Sequence, residues 1–310
     1  YLICQEFFIS WSEFTVTDNF YLENCWLAIA GSIYNRGVNI CNRKNWGKIR
    51  EKIIAHIFNI PVKFINDFIG SSYGALLLDL DKDVEFINGS YDMVQDTHPK
   101  CLIGAGTGLG HSYLTWNSSE YIAYPSEGGH SNFSPQNKLQ HELCEWLINK
   151  YYDSDDNYPR ISKERVISGK GILDIYNFLK DSYYSEDNDI HNNNNIEKVN
   201  SKIISQQSKT YFSGEQNIFT QTMKIFTNAY GSETGNMSLQ YLPYGGLYIV
   251  GGIAVKNVEW IQSKEFIEPL FNKGRLTELL KDIPIILINN QNAINNLGKN
   301  GAWYYAKNKM

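Results

Sequence analysis

Three short stretches of this sequence carry groups suited to chemistry on a hydroxyl and a phosphate. They are Asn66-Asp67 within F-I-N-D-F, the glycine loop G-A-G-T-G-L-G at 104–110, and Glu127-Gly128-Gly129-His130. A carboxylate can accept a proton from a hydroxyl, glycine-rich backbone can aim N–H groups at phosphate, and a Glu/His pair can bind neighbouring hydroxyls. Together they indicate phosphoryl transfer to a polyhydroxylated substrate.

Asp67 is the candidate general base. It follows residues 62–65, an apolar segment that we predict to be a strand, and ligands of α/β sheets bind at the carboxyl ends of strands. Asn66 can both donate and accept hydrogen bonds, so it can orient one hydroxyl of the same substrate. The alternative is that Asn66 and Asp67 only cap a helix, since both residue types favour that position.

The loop at 104–110 follows a short apolar segment and has glycine at every second position. Gly104, Gly106 and Gly108 allow sharp turns and a close approach of the backbone to phosphate, and Thr107 adds a hydroxyl. The loop lacks the Gly-Lys-Ser/Thr of a Walker loop, and its spacing differs from the dinucleotide fingerprint GxGxxG. A β-hairpin with glycine turns is the alternative interpretation.

Glu127 and His130 lie on a predicted tight turn, where both side chains suit hydrogen bonds to neighbouring hydroxyls of a ring. A metal site would need further ligands, and no Cys/His cluster in the sequence supplies them. A surface loop that contains one acid is the alternative interpretation.

Two further positions add to the candidate site, each with a structural alternative. Glu164, beside Arg165, is either another ligand for hydroxyls or half of a surface ion pair. Gly251 and Gly252 follow an apolar segment and either approach an adenosine closely or allow tight helix–strand packing. The same two interpretations apply to the stretch 231–236.

The elements that must position these residues alternate between strand and helix in the first part of the chain. The pattern predicts strands at Cys25–Ala30 and Val62–Ile65 and helices at Trp46–Phe58 and Ser71–Leu80. This β-α-β-α order indicates an α/β fold with a mainly parallel sheet. A later helix is predicted to open at Ser134-Pro135.

The composition argues against several classes of function. The 310 residues carry a net charge of −5, with both signs spread along the chain, which argues against a nucleic-acid surface. No apolar run is long enough to span a membrane. Five cysteines without CxxC spacing indicate a reducing compartment, so we predict a cytoplasmic protein.

As an ordered set, these segments resemble the bacterial-type glucokinases of the hexokinase/actin-like ATPase superfamily. The matching segments are F-I-N-D-F (64–68), G-A-G-T-G-L-G (104–110), E-G-G-H (127–130), E-R-V-I-S-G-K-G (164–171), G-G-L-Y-I-V-G-G-I (245–253) and K-G-R-L (273–276). The resemblance implies a two-domain α/β, actin-like ATPase (ribonuclease H-like) fold with a cleft between the domains. We therefore expect a small domain at 1–78, joined by the C-terminal helix at about 291–310, and a large domain at 79–290 with a polar, disordered insertion at about 181–200.

The resemblance also implies roles for single residues. In that family, the aspartate matching Asp67 is the base that activates the sugar 6-hydroxyl. The residues that bind glucose hydroxyls match Asn66, Glu127, His130 and Glu164. The positions that lie against ATP match Gly104, Gly106, Thr107, Gly108, Gly251 and Gly252.

The expected substrates are therefore glucose and ATP with Mg²⁺, for which the resemblance supplies no direct protein ligand, and the expected assembly is a homodimer. A related repressor/kinase family follows its E-G-G-H with a cysteine-rich zinc motif. Residues 131–136 contain no cysteine, so no protein-bound metal is expected.

One family motif is not found in the sequence: the Asp-x-Gly-Gly-Thr turn that holds phosphate and helps to place Mg²⁺. We expect that this segment lies outside the sequence or has been replaced, which would leave the small domain N-terminally incomplete. Because phosphoryl transfer depends on positioning and on neutralising phosphate charge, its loss would slow turnover. Two hypotheses follow: an active glucokinase, or a sugar-binding pseudokinase or regulator that has lost efficient ATP turnover.

Overall fold

The computed structural model describes residues 25–31, 33–39, 47–152, 159–184 and 199–308 of the chain. Within them, the residues up to Asp67 form one compact unit, and those from Phe68 onward form a second. The domain boundary predicted after residue 78, and the assignment of the terminal helix to the small domain, stay predictions. Most of the predicted polar insertion lies outside the described residues.

The first unit combines a parallel strand pair with a small antiparallel sheet. Its described elements are β1 (Cys25–Ile29), β2 (Ile33–Tyr34), β3 (Gly37–Asn39), β4 (Lys48–Arg50), α1 (Glu51–Phe58) and β5 (Val62–Asn66). β1 and β5 pair in parallel, whereas β2, β3 and β4 form the antiparallel sheet. The strands predicted at Cys25 and Val62 are thereby confirmed.

A buried carboxylate ties α1 to β5. Glu51 is the first residue of α1, and its Oε1 accepts the backbone N–H of Phe64 at 2.9 Å. Its Oε2 accepts Nε–H of Arg36 at 2.7 Å. These partners offset the cost of removing the carboxylate from water.

The helix predicted from Trp46 was too long, since α1 begins only at Glu51. Residues 48–50 pair with β3 instead, and Ile49 lies opposite the buried Val38. Ile49 suggested a helical face in the sequence, but it serves the small sheet, because pairing with a neighbouring strand overrides the local pattern.

The second unit is built on a sheet of six described strands with helices on both faces. Its described elements are α2 (Asp67–Ala75), which starts on the last residue of the first unit, β6 (Val84–Asn88), β7 (Lys100–Ala105), β8 (Leu109–Trp116), β9 (Tyr121–Ser126), α3 (Lys138–Tyr151), α4 (Gly169–Tyr183), α5 (Ser201–Gln207), α6 (Ile218–Tyr241), β10 (Leu247–Val250), α7 (Gly252–Lys256), α8 (Val258–Ile261), α9 (Lys264–Phe271), α10 (Thr277–Lys281), β11 (Ile285–Ile288) and α11 (Gln291–Asn308). The strand order is β6-β11-β10-β7-β8-β9. Only the central strands β11, β10 and β7 run parallel to one another. The sheet was predicted to be mainly parallel, but three of its five described pairings are antiparallel.

The central strand β7 shows how the sequence sets the two layers of the core. Cys101 and Ile103 lie in the core that contains residues of α4, α6 and α9, whereas Leu102 lies in the core on the opposite face. Successive strand residues alternate between faces, and here both faces are covered. Val250 at the end of β10 is paired with Gly104, so the turns after β7 and β10 leave from the same edge of the sheet.

The helix predicted at Ser71–Leu80 lies earlier, at Asp67–Ala75. Its two internal glycines, Gly70 and Gly74, lower helix propensity and hid its start in the sequence. Gly74 is used for packing instead, because a Cβ atom there would overlap the carbonyl of Leu297 in α11.

The helix predicted to open at Ser134 begins at Lys138. Asn137 is its N-cap, and the Asn137 side chain accepts the backbone N–H of Gln140 at 3.0 Å. Asparagine and serine are comparable N-caps, so the local sequence offered two starts.

Candidate active site

Asn66 and Asp67 lie at a strand-to-helix junction. Asn66 is the last residue of β5, Asp67 is the first residue of α2, and both are half-buried. Asn66 Nδ2 lies 3.4 Å from the backbone oxygen of Gly31. Asn66 therefore lies at the predicted strand end, and Asp67 lies at the helix start of the alternative interpretation.

The glycine loop is the turn of an antiparallel hairpin. β7 ends at Ala105, β8 begins at Leu109, and Gly106 N–H donates to the carbonyl of Gly108 at 2.8 Å. The hairpin interpretation of the sequence is thereby confirmed. It is compatible with ligand binding, because the turn leaves the edge at which the carboxyl ends of β7 and β10 lie side by side.

An aromatic ring explains two of the glycines in this hairpin. Gly104 and Gly110 are paired across the two strands, and a Cβ atom at Gly110 would overlap the ring of Phe68. A Cβ atom at Gly104 would lie 2.7 Å from a methyl carbon of Val250 and 3.0 Å from the Phe68 ring. Glycine at both positions is therefore needed for packing.

Glu164 lies against the hairpin turn. Its Oε2 accepts the backbone N–H of Leu109 at 3.1 Å, and a Cβ atom at Gly108 would overlap that oxygen. The first residue of α4 adds a second link, because Gly169 N–H donates to the carbonyl of Gly106 at 2.8 Å. The neighbouring Arg165 places its guanidinium 4.2 Å from the ring centroid of Tyr151.

The Glu127–His130 segment forms a tight helical turn beside the hairpin. His130 Nε2 lies 3.7 Å from Glu127 Oε2, and both side chains are more than half exposed. The turn packs closely on β8, because a Cβ atom at Gly129 would overlap the carbonyl of Leu109. The exposed side chains of Glu127 and His130 therefore extend from a backbone whose position is fixed by its packing on β8.

Gly251 and Gly252 form the turn after β10. Gly251 has φ +97° and ψ 152°, and a Cβ atom there would lie 2.7 Å from the carbonyl oxygen of Ala105. Gly252 begins α7, and a Cβ atom at that position would meet nothing within 4 Å. Gly251 is thus required by the contact with β7, whereas Gly252 is not.

A buried polar cluster lies beneath these segments. Glu233 of α6 is 3% exposed, and its Oε1 lies 2.7 Å from Lys163 Nζ and 3.9 Å from His111 Nε2. Burial, and then the charge of Lys163, lowers the pKa of His111 to about 3, so the ring is neutral at physiological pH.

This cluster was not predicted from the sequence, although helical periodicity carried a signal for Glu233. Glu233 stands three residues after Tyr230 and four before Met237, and all three side chains are buried. A charge within an apolar helical stripe indicates a buried partner. Gly231 and Gly235 pack on the backbone of α9, so close packing explains these glycines, although their neighbour is a helix and not the strand of the packing interpretation.

The second unit therefore brings together the hairpin turn, Glu164, the Glu127–His130 turn and Gly251, whereas Asn66 and Asp67 belong to the first unit. Within the described ranges, no group of three or more His, Cys, Asp or Glu side chains is placed to hold a metal ion. The helices described in these ranges include none long and apolar enough to cross a membrane.

This chain is similar to known proteins in both sequence and fold. A family model described as Glucokinase matches residues 5–308. A glucokinase of Nostoc sp. is 35% identical over an alignment of 281 residues that covers 87% of this chain and 78% of that protein. Glucokinase from an Antarctic psychrotroph has a similar solved structure, with a TM-score of 0.69 at 25% identity, over 91% of this chain and 80% of that one.

A second solved structure, glucokinase from Balamuthia mandrillaris in complex with glucose, has a TM-score of 0.76 at 21% identity. The similarity covers 91% of this chain and 77% of that one, and at this identity it bears on the fold alone. With the mixed α/β architecture, these similarities confirm the predicted actin-like ATPase fold.

Proposed function

The chain belongs to the glucokinase family, and on that premise we propose that it transfers the γ-phosphoryl group of ATP to the 6-hydroxyl of glucose with Asp67 as the general base. One observation carries the assignment of the site. The Glu164 carboxylate accepts the Leu109 N–H at 3.1 Å, which joins a predicted sugar ligand to the turn predicted to hold phosphate. Phosphoryl transfer requires its acceptor and donor to be held as neighbours in this way.

Asp67 accepts the proton of the 6-hydroxyl while that oxygen attacks the γ-phosphorus. The bond from the γ-phosphorus to the bridging oxygen breaks, and ADP leaves with that oxygen. The remaining hydroxyls are bound by the side chains predicted for them, namely Asn66, Glu127, His130 and Glu164. The carboxylates accept hydrogen bonds from hydroxyls, whereas Asn66 can also donate.

The phosphates lie on the hairpin turn in this proposal. Gly106 N–H is bonded to Gly108, and Leu109 N–H is bonded to Glu164. Among the described residues, the N–H groups of Thr107 and Gly108 and the Thr107 hydroxyl are not used by another residue, so they are the donors that we assign to phosphate oxygens. The turn at Gly251 and Gly252 is assigned to the adenosine.

Mg²⁺ is proposed as a companion of the ATP substrate. Magnesium is commonly held by one or two carboxylates, substrate phosphates and water, which suits described ranges without a cluster of three protein ligands. When bound with ATP, it neutralises charge on the phosphates. A homodimer and a cytoplasmic location are part of the same proposal, and light scattering of the purified protein tests the former.

The decisive experiment measures glucose 6-phosphate with a coupled assay in wild type and in Asp67→Asn. Removing the base is expected to lower kcat by about 10²–10⁴-fold, the range of general-base catalysis. Glucose affinity, measured by calorimetry, is expected to stay close to wild type. Asp81→Asn, a change of an exposed acid in a turn, serves as the control and is expected to leave kcat unchanged.

Full activity in Asp67→Asn contradicts the role of base. Tight glucose binding by wild type without measurable binding of Mg-ATP and without turnover would support the sugar-binding regulator instead. A wild-type protein that neither binds nor phosphorylates glucose contradicts the proposed function as a whole.

A further inference from the structure

The buried carboxylate of Glu233 has no part in the transfer step. It nevertheless lies next to residues that contact both segments in which sugar ligands are predicted. It belongs to α6, which is fixed on its other side because Gly231 and Gly235 pack on the α9 backbone. Its Oε2 accepts Nδ2–H of Asn236 at 3.1 Å. The carboxylate is therefore presented from a rigid element.

Lys163 connects Glu233 to both segments. Its side chain is 11% exposed, its Nζ lies 2.7 Å from Glu233 Oε1, and the next residue along the chain is Glu164. The backbone N–H of Lys163 donates to the carbonyl of Ser131 at 2.9 Å, and Ser131 directly follows His130. One lysine thus anchors both the segment that carries Glu164 and the end of the Glu127–His130 turn.

His111 lies between Glu233 and the Glu127–His130 turn. Its ring packs directly beneath Gly128, where a Cβ atom would overlap Nδ1. Its Nε2 lies 3.9 Å from Glu233 Oε1 and has no hydrogen-bond partner among the described residues. The His111 ring therefore sets the distance between the Glu127–His130 turn and α6.

A buried ion pair is strongly destabilising once one partner is removed, because the remaining charge is neither solvated nor paired. If the Glu233 carboxylate becomes a neutral amide, Lys163 loses its charged partner and is expected to move toward water. Glu164 and Ser131 are attached to that lysine and would move with it.

We propose that Glu233 is a positioning residue of the sugar site, holding Glu164 and the Glu127–His130 turn at the spacing that glucose hydroxyls require. It acts through the Lys163 ion pair and through the packing of His111. This inference rests on the proposed function, because it takes these side chains to be ligands of glucose.

The chain contains a second ion pair with an equally buried acid, and this pair serves as the control. Asp174 is also 3% exposed, its Oδ1 accepts Nζ–H of Lys150 at 2.8 Å, and its Oδ2 accepts the hydroxyl of Tyr151 at 2.6 Å. This pair joins α3 to α4 and includes no predicted ligand of glucose or ATP. The two acids are equally buried and each is paired with a lysine, but they hold different segments of the chain.

The experiment measures glucose binding by calorimetry, without nucleotide, in the full protein and in the variants Glu233→Gln and Asp174→Asn. Both variants are expected to unfold at a lower temperature. Glu233→Gln is expected to weaken glucose binding by about tenfold or more, since small displacements of positioned groups have large effects. Asp174→Asn is expected to bind glucose within about twofold of wild type, because the sugar ligands stay in place.

A double variant, Lys163→Met with Glu233→Met, separates positioning from general stability. Removing both charges of a buried pair is often neutral or stabilising, so thermal stability is expected to recover. Glucose binding is expected to stay weak, because the link between the two segments and α6 is lost. Recovery of affinity together with stability would overturn the proposal.

The remaining outcomes are also decisive. If wild type binds and phosphorylates glucose and Glu233→Gln binds it equally well, the positioning role is wrong and the proposed function stands. If Asp174→Asn loses as much affinity as Glu233→Gln, the effect is one of stability and the positioning role is again wrong. If wild type binds no glucose, the proposed function and this inference both fail.

Discussion

Two glycine turns leave the carboxyl ends of the neighbouring parallel strands β7 and β10, and the space around their glycines differs. After β7, the space of a side chain at Gly108 is occupied by the Glu164 carboxylate, the end of a flexible side chain. After β10, glycine is needed at Gly251, which has a positive φ and lies against the Ala105 carbonyl. Each turn also contains a glycine with open space around it, Gly106 in the first and Gly252 in the second.

This difference distinguishes two reasons for a glycine. Where a Cβ atom would meet another part of the protein, packing alone explains the residue, and no ligand is needed. Where a Cβ atom would meet nothing, and φ lies outside the left-handed region, the fold does not require glycine. Gly106 and Gly252 are therefore the positions at which we expect a ligand to approach the backbone.

The largest effect is expected from Gly251→Ala. Its φ of +97° and ψ of 152° fall in a region that is essentially restricted to glycine. The added methyl group would lie 2.7 Å from the Ala105 oxygen. We expect a loss of about 2–3 kcal/mol in the free energy of unfolding, which urea titration measures.

Gly214→Ala is the control for Gly251→Ala. Gly214 also has a positive φ, +93°, but a Cβ atom there would meet nothing within 4 Å. It is expected to cost about 1 kcal/mol, the strain of a left-handed residue alone. Equal losses in the two variants would show that the contact with β7 contributes nothing.

The hairpin of β7 and β8 also contains a titratable group, His111 on β8. Its folded pKa of about 3 lies below the ordinary value of 6.5, so the unfolded chain binds a proton that the folded chain does not. Its contribution to stability is complete above about pH 6.5 and is lost as the pH falls toward 3. Between pH 7 and pH 5 this loss is about 2 kcal/mol.

His111→Gln is expected to remove that part of the acid sensitivity, so urea unfolding at pH 7 and pH 5 should differ less than in wild type. The exposed His141 of α3 supplies the control, and His141→Gln is expected to keep the wild-type difference. An unchanged pH dependence in His111→Gln would show that the ring is already charged or accessible in the folded protein.

The effect of Gly108→Ala is expected to act through Glu164. The methyl group would overlap the Glu164 carboxylate, which is the end of a flexible side chain and can move, so the fold is retained. The Leu109 N–H then loses a charged acceptor, worth about 1.5 kcal/mol. We expect the KM for glucose to rise about tenfold, as 1.4 kcal/mol corresponds to a factor of ten.

A double-variant cycle tests that route. If Gly108→Ala acts only by displacing the carboxylate, adding it to Glu164→Ala should change the KM for glucose no further. Fully additive losses would instead indicate a separate contact of Gly108, for example with phosphate.

The sequence predicted the site segments better than the elements around them. β1 and β5 are short apolar runs with turn signals at their ends, and both were predicted close to their observed bounds. The edge strands β6 and β9 were missed, because their residues are only partly buried and their pairing depends on distant partners.

The hydrogen bond from Leu109 to Glu164 and the cluster at Glu233 were beyond sequence reasoning for a related reason. Leu109 and Glu164 are 55 residues apart, and Lys163 and Glu233 are 70 apart. Only the packing of α4 and α6 against the sheet brings them together. Periodicity can indicate that Glu233 is buried, but it cannot indicate which cation is its partner.

The smallest effects are expected at the two open glycines, and they test the comparison most directly. Gly106→Ala and Gly252→Ala should change the free energy of unfolding by less than about 1 kcal/mol, because neither position has a left-handed φ or a nearby atom. The methyl group should instead obstruct ATP, with a cost of about 1 kcal/mol or about fivefold in the KM for ATP. Glucose affinity without nucleotide should stay at the wild-type value. If a variant changes neither stability nor the KM for ATP, the substituted glycine is not part of the nucleotide site. If this result is found at both positions, the two turns have no role beyond packing.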